Sequence, residues 1–159
     1  MAQLTRPHQH VLEVEYEVKW APNQFYNFLK NNFSMLPKIF PCINKREVVE
    51  GDGKSVGSVT RWACLLGLNV LVGMEKITKI DDANMSFTNE LMQGSDALKT
   101  LKSLAFKTSV IPKATGGSVL KWSIMYEKLN EADASDPHLY IDFCMGMSAA
   151  FDSHFRNTN

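Results

Sequence analysis

The residues of this chain best suited to chemistry by type and spacing lie between Val48 and Gly57, where Gly51, Gly53 and Gly57 surround the pair Lys54-Ser55. A lysine beside a serine in a glycine-rich turn suits phosphate binding, in which backbone N–H groups and an ammonium face an anion. A phosphate-cradling loop of the P-loop kind also needs a glycine five positions before Gly53 and a long helix after the serine. Position 48 is valine, and Ser58 to Leu65 has the pattern of a strand. The stretch therefore reads as a strand-turn-strand hairpin whose glycines supply positive φ. Anion binding by the amides of its tip is the competing reading.

Three other side chains are candidates for proton transfer: His138, Asp142 and Tyr126. His138 and Asp142 are one helical turn apart in the final segment. An imidazole there would titrate near neutrality, and a buried carboxylate with a raised pKa could serve as a general base. Both residues fit a solvated helix surface better. His8 and His10 fall in a polar start, and His154 sits near the end. None is paired with a second His or acid at ligand spacing, so neither a metal nor any other cofactor is expected. Lys121 could form a Schiff base if desolvated, but strand parity puts it opposite Leu120 and Trp122, on an outer face. Cys42, Cys64 and Cys144 are odd in number and lack a C-x-x-C pair, which argues against structural zinc and a disulfide framework. Cys64 and Cys144 read as small apolar groups without an activating base.

The elements that must position these groups are legible in outline. Val11 to Val18 alternates apolar and charged residues, as a half-buried strand does. Pro22 then suits the first turn of a helix, with Phe25, Tyr26, Phe28 and Leu29 at helical spacing. Ser34 can cap a second short helix, Met35 to Phe40, which stops before Pro41. Six further strands are expected at Lys45 to Val49, Ser58 to Leu65, Val70 to Ile80, Met85 to Met92, Leu101 to Ile111 and Ser118 to Asn130. Their connections are too short for crossover helices, so the sheet should be antiparallel. Gln93 to Lys102 is expected to begin as a loop or turn. Asp136 and Pro137 then open a last helix of about five turns. Leu139, Phe143, Met147, Ala150 and Phe151 share one side of it, which Ile141, Cys144, Met145 and Phe155 widen.

The totals narrow the function. At 159 residues the chain is expected to form a single domain, 1–159, with 1–10 mobile. Seventeen basic and seventeen acidic residues cancel, so no global field favours nucleic acid or an anionic membrane. Neither an apolar leader nor a membrane-length apolar run is present, and a cytoplasmic protein without stable membrane insertion is expected. Nine Phe, eight Met, four Tyr and three Trp can fill a core or line a pocket for a flat apolar ligand.

The order of elements, with the turn Glu50 to Gly57, resembles the plant superfamily of the major birch pollen allergen and pathogenesis-related proteins, whose fold is called helix-grip or START-like. Leu36-Pro37-Lys38, Lys79-Ile80-Asp81 and Gly116 to Lys121 are similar to the family pattern. The Trp62 strand, Pro112-Lys113-Ala114 and Tyr126 to Asn130 resemble the major latex protein branch. The resemblance spans about Val11 to Phe155. It implies an α+β fold: a curved seven-stranded antiparallel sheet gripping a long C-terminal helix, two short helices after the first strand, and a large internal apolar cavity. Two departures matter. Gln93-Gly94-Ser95 stands where the family commonly has Glu-Gly-Gly, which removes a glutamate that condensing relatives could use. Lys54-Ser55 stands where many relatives have further glycine or proline.

Strand parity assigns the inner faces: Thr60, Trp62 and Cys64; Phe87, Asn89 and Leu91; Leu104, Phe106, Thr108 and Val110; Leu120, Trp122, Ile124 and Tyr126. From these, the expected ligand contacts are Trp62, Cys64, Phe87, Asn89, Leu91, Phe106, Thr108, Leu120, Trp122 and Ile124. Phe25, Leu29 and Leu36 from the short helices join them, with Phe143 and Met147 from the last. The same faces also fit a solid core; it is the resemblance that implies a hollow one. The leading expectation is a monomer or weak homodimer that binds and carries small hydrophobic plant metabolites (alkaloid, steroid-like or phenolic), linked to defence or specialised metabolism. The alternative is a cofactor-independent isomerase, cyclase or condensing enzyme using His138, Asp142 and Tyr126. A third reading is a stress-linked interaction protein binding phosphate or cytokinin-like signals through the Gly51 to Gly57 loop.

Overall fold

A computed structural model of the chain describes residues 9–31, 35–66, 68–130 and 138–158. Seven strands form one antiparallel sheet: β1 (Gln9–Val18), β2 (Ile43–Glu50), β3 (Val59–Leu66), β4 (Asn69–Asp81), β5 (Ser86–Leu91), β6 (Leu101–Pro112) and β7 (Ser118–Lys128). Their order across the sheet is β1-β7-β6-β5-β4-β3-β2, so each neighbouring pair after β1 is a hairpin and β1 closes onto the last strand. Helices α1 (Pro22–Asn31) and α2 (Leu36–Ile39) follow β1, and α3 (His138–Thr158) ends the chain. The segment between β5 and β6 contains a 3-10 turn at Asp96–Lys99, in line with the loop or turn expected there.

Alternation decides which face each strand presents. On β1, Leu12, Val14 and Tyr16 pack toward the core, while Glu13, Glu15 and Glu17 face solvent. The register then carries the inner face across the sheet: Val14 pairs with Trp122, Trp122 with Thr108, and Thr108 with Phe87. Lys121, one residue out of phase, makes an ion pair with Glu13 at 3.4 Å on the outer surface. Gln9 and His10, expected within a mobile start, pair with Glu127 and Tyr126 at the beginning of β1. Ser34, Asp136 and Pro137, the expected helix-start residues, lie outside the described residues.

The inner face must be covered, and α3 covers it. Its buried side runs through Cys144, Met147, Ser148, Phe151 and Asp152. Leu139 and Met145, expected on or beside the apolar side, are exposed, because a 3.6-residue period rotates them away from that row. Three hydrogen bonds from outside fasten the second half of the helix, and a fourth within it orients Ser148. Trp122 Nε1 donates to Ser148 Oγ at 2.8 Å, and Ser148 Oγ donates to the Cys144 carbonyl at 2.7 Å. Trp20 Nε1 donates to the Phe151 carbonyl at 3.0 Å, and the Lys19 amide to Asp152 Oδ1 at 3.0 Å. Around these, Trp20, Phe25, Phe28, Phe151 and Phe155 form a continuous set of ring contacts. Rings of this size bury much apolar area and act as spacers between helix and sheet.

Ser148 is fully buried, so Ser148→Ala would strand the Trp122 indole N–H without its acceptor. A loss of about 1–3 kcal/mol of stability is expected, measured by chemical denaturation.

Candidate functional site

Toward the first half of α3 the spacers end and a cavity remains between helix and sheet. About 100 Å³ of it is open to the centres of water-sized molecules, several times the roughly 10–15 Å³ that one water centre needs. Trp62, Cys64, Phe87, Leu91, Phe106 and Trp122 supply sheet walls; Leu29 and Leu36 close it from the short helices; Tyr140, Phe143 and Met147 form the roof on α3. Two ring contacts brace this end, Phe40 on Phe143 at 5.7 Å and Phe106 on Tyr140 at 6.3 Å.

Most of the expected ligand contacts meet at this wall. Leu29, Leu36, Trp62, Cys64, Phe87, Asn89, Leu91, Phe106, Thr108, Trp122, Phe143 and Met147 all line it. Phe25, Leu120 and Ile124 stand elsewhere: each is fully buried in the packed core, away from the cavity lining. The lining also includes residues that parity alone had not brought to the site, among them Ile43, Arg46, Leu71, Glu75, Ala97 and Phe151. Arg46 and Glu75 carry the charge in this wall and are paired at 3.0 Å. The register signals their position: Arg46 pairs with Trp62, and Glu75 with Thr60 and Leu91, all inner-face residues.

One wall position depends on a missing side chain. A Cβ built on Gly73 would lie 2.8 Å from Ser95 and 3.0 Å from the Trp62 ring. Ser95 is buried there, its hydroxyl accepting from the Met74 amide at 3.1 Å and donating to the Met92 carbonyl at 2.7 Å. Ser95 thus ties the β5–β6 connection to β4 beside the cavity.

The three proton-handling candidates do not line this space. His138 and Asp142 are exposed on α3, and Tyr126 is buried in a stack with His10, ring centres 5.0 Å apart. Burial pushes the Cys144 thiol up to about 12. Burial, aided by nearby Cys42, pushes Cys64 up to about 11, so neither thiol is an activated nucleophile near neutrality.

The glycine-rich loop carries its own anion. Asp52 Oδ1 accepts from the amides of Lys54 and Ser55, each at 2.8 Å, and from Ser58 Oγ at 3.1 Å. Asp52 Oδ2 accepts from Ser55 Oγ at 2.7 Å. The Gly53 amide donates to Ser58 Oγ, and the Gly57 amide to the Ile77 carbonyl. Gly51 and Gly53, with φ of +78° and +80°, allow the chain to curl around the carboxylate. The Gly53, Lys54, Ser55 and Gly57 amides are thus already bonded within the protein.

A family model described as the pathogenesis-related protein Bet v 1 family matches residues 8–158. The chain is 31% identical over 145 residues to MLP-like protein 43 of Arabidopsis thaliana, covering 90% of each chain. It is 30% identical to Major latex protein 146 of Papaver somniferum, covering 90% of this chain and 89% of that one. Among solved structures it is similar to ginseng major latex-like protein 151 from Panax ginseng, with a TM-score of 0.84 and 28% identity over 92% of this chain and 97% of the other.

Hydrogen bonds from the Lys54 amide and its neighbours hold the Asp52 carboxyl below the usual carboxylate range. A group depressed in this way stabilises the fold above its unfolded pKa, about 3.9, and loses that contribution as pH falls. The thermal midpoint should therefore drop as pH is lowered below about 4, and drop less steeply in Asp52→Asn, as followed by circular dichroism.

Proposed function

This chain belongs to the Bet v 1 family of pathogenesis-related proteins, and we propose on that footing that it binds and carries small hydrophobic plant metabolites in the cavity beneath α3. The observation that supports the reading is the cavity itself, with its walls of large apolar and aromatic side chains and few polar groups. A site of this composition gains affinity from the apolar area it removes from water and orients its guest with sparse hydrogen bonds. Carriage is favoured over turnover because the exposed His138 and Asp142 and the stacked Tyr126 stand away from any guest held there. In this reading the protein acts in the cytoplasm as a monomer or weak homodimer, in defence or specialised metabolism.

Filling the space tests the reading. Ala97 is buried at the cavity wall, and Ala97→Leu would extend a branched side chain into it. The neutral fluorophore N-phenyl-1-naphthylamine should bind the native protein saturably, one to one, with fluorescence enhancement. Ala97→Leu should weaken that binding by about tenfold or more while retaining the native circular dichroism spectrum. Unchanged affinity in the variant would sink the proposal.

A further inference from the structure

The polar part of the cavity wall says what kind of guest it suits. Arg46 on β2, Glu75 on β4 and Asn89 on β5 all line the cavity from the sheet's inner face. The Arg46 Nη2 and Glu75 Oε1 atoms are 3.0 Å apart, and the two side chains are only 11% and 13% exposed. They are the charged residues among the described lining, and their charges cancel. Asn89 is 9% exposed, and its Oδ1 has no hydrogen-bond partner among the described residues.

An amide oxygen enclosed without a donor is a standing cost to the fold, relieved by any guest that brings an O–H to it. A guest with net charge meets the opposite situation. It must enter a low-dielectric space beside an ion pair that is already neutral, or open that pair and leave one buried charge uncompensated. Aromatic surfaces flank the acceptor: Phe106 pairs with Asn89 across the β5–β6 ladder, and Phe87 lies two residues along the same face.

Resting on the ligand-binding reading above, we propose that Asn89 is the specificity-determining residue of the cavity. It accepts a hydrogen bond from the hydroxyl of a neutral ring alcohol or phenol, and the closed Arg46–Glu75 pair discriminates against charged guests. Of the three metabolite types expected from the sequence, this keeps the phenolic and steroid-like classes and disfavours protonated alkaloid amines.

Equilibrium dialysis of the full chain against four probes tests this: 2-naphthol, its donor-free ether 2-methoxynaphthalene, naphthalene, and anionic 2-naphthoate. The native protein should hold 2-naphthol about tenfold more tightly than the ether or 2-naphthoate. In Asn89→Leu the preference of 2-naphthol over naphthalene should shrink by about tenfold. Equal affinity of the native protein for naphthol and ether, equal affinity for naphthol and naphthoate, or an unchanged preference in Asn89→Leu would each overturn the proposal. The native-protein comparisons hold even if the variant does not fold. Saturable binding of none of the four probes would instead overturn the ligand-binding reading on which the proposal rests.

Discussion

The bond from the Trp122 indole to Ser148 fixes how far α3 stands from the sheet. A helix laid directly on small side chains would close the gap between the layers. Here an indole from β7 reaches up to the helix, and Phe25, Phe28 and Trp20 fill the space beside it. The helix is thereby held one large side chain above the sheet over its second half. Over its first half the same separation persists without the same filling, and the cavity is what remains. Trp122 and Phe151 belong to both regions, meeting the second half of the helix and also lining the cavity beside it.

Much of this was legible in the sequence because period-two alternation is a strong signal when one face is buried. Leu104, Phe106, Thr108 and Val110 on β6, and Leu120, Trp122, Ile124 and Tyr126 on β7, face inward as parity requires. Parity gives a face, however, and not a depth. Leu120 and Ile124 face inward and are fully buried without lining the cavity, whereas Leu91 and Phe106 face inward at the void. Which part of a correct face is hollow depends on where α3 rests, a tertiary fact that no local pattern contains.

The polar wall was hidden for a different reason. β2 reads Ile-Asn-Lys-Arg-Glu-Val-Val-Glu, without clean alternation, and its pairing with β3 slips twice, between Ile43 and Lys45 and between Val48 and Glu50. Each slip breaks the count that would have placed Arg46 inside. Glu75 follows Gly73, which offers no side chain to mark the face, and it looks like an ordinary surface charge until the β3–β4 register sets it opposite Thr60. The glycine-rich loop is the hairpin tip that its strand-turn-strand pattern indicated, and only the competing anion-binding reading lacked a visible signal against it. Its lysine, serine and glycines suggest an anion from outside, but Asp52, two residues before Lys54, supplies one from within.

The uneven fastening of α3 also makes it a cantilever. Trp122, Trp20 and the Lys19 amide hold it by hydrogen bonds at Ser148, Phe151 and Asp152, while Tyr140 and Phe143 meet Phe106 and Phe40 through ring edges, which slide at little cost. From Ser148 back to His138 the helix projects about 15 Å at its usual rise per residue. A tilt of about 5° at the clamp would carry the far end by about 1.3 Å over that length. The roof of the cavity can thus rise or settle by a little less than a carbon–carbon bond length while the clamped half keeps its bonds, and guests of slightly different girth can share one binding site.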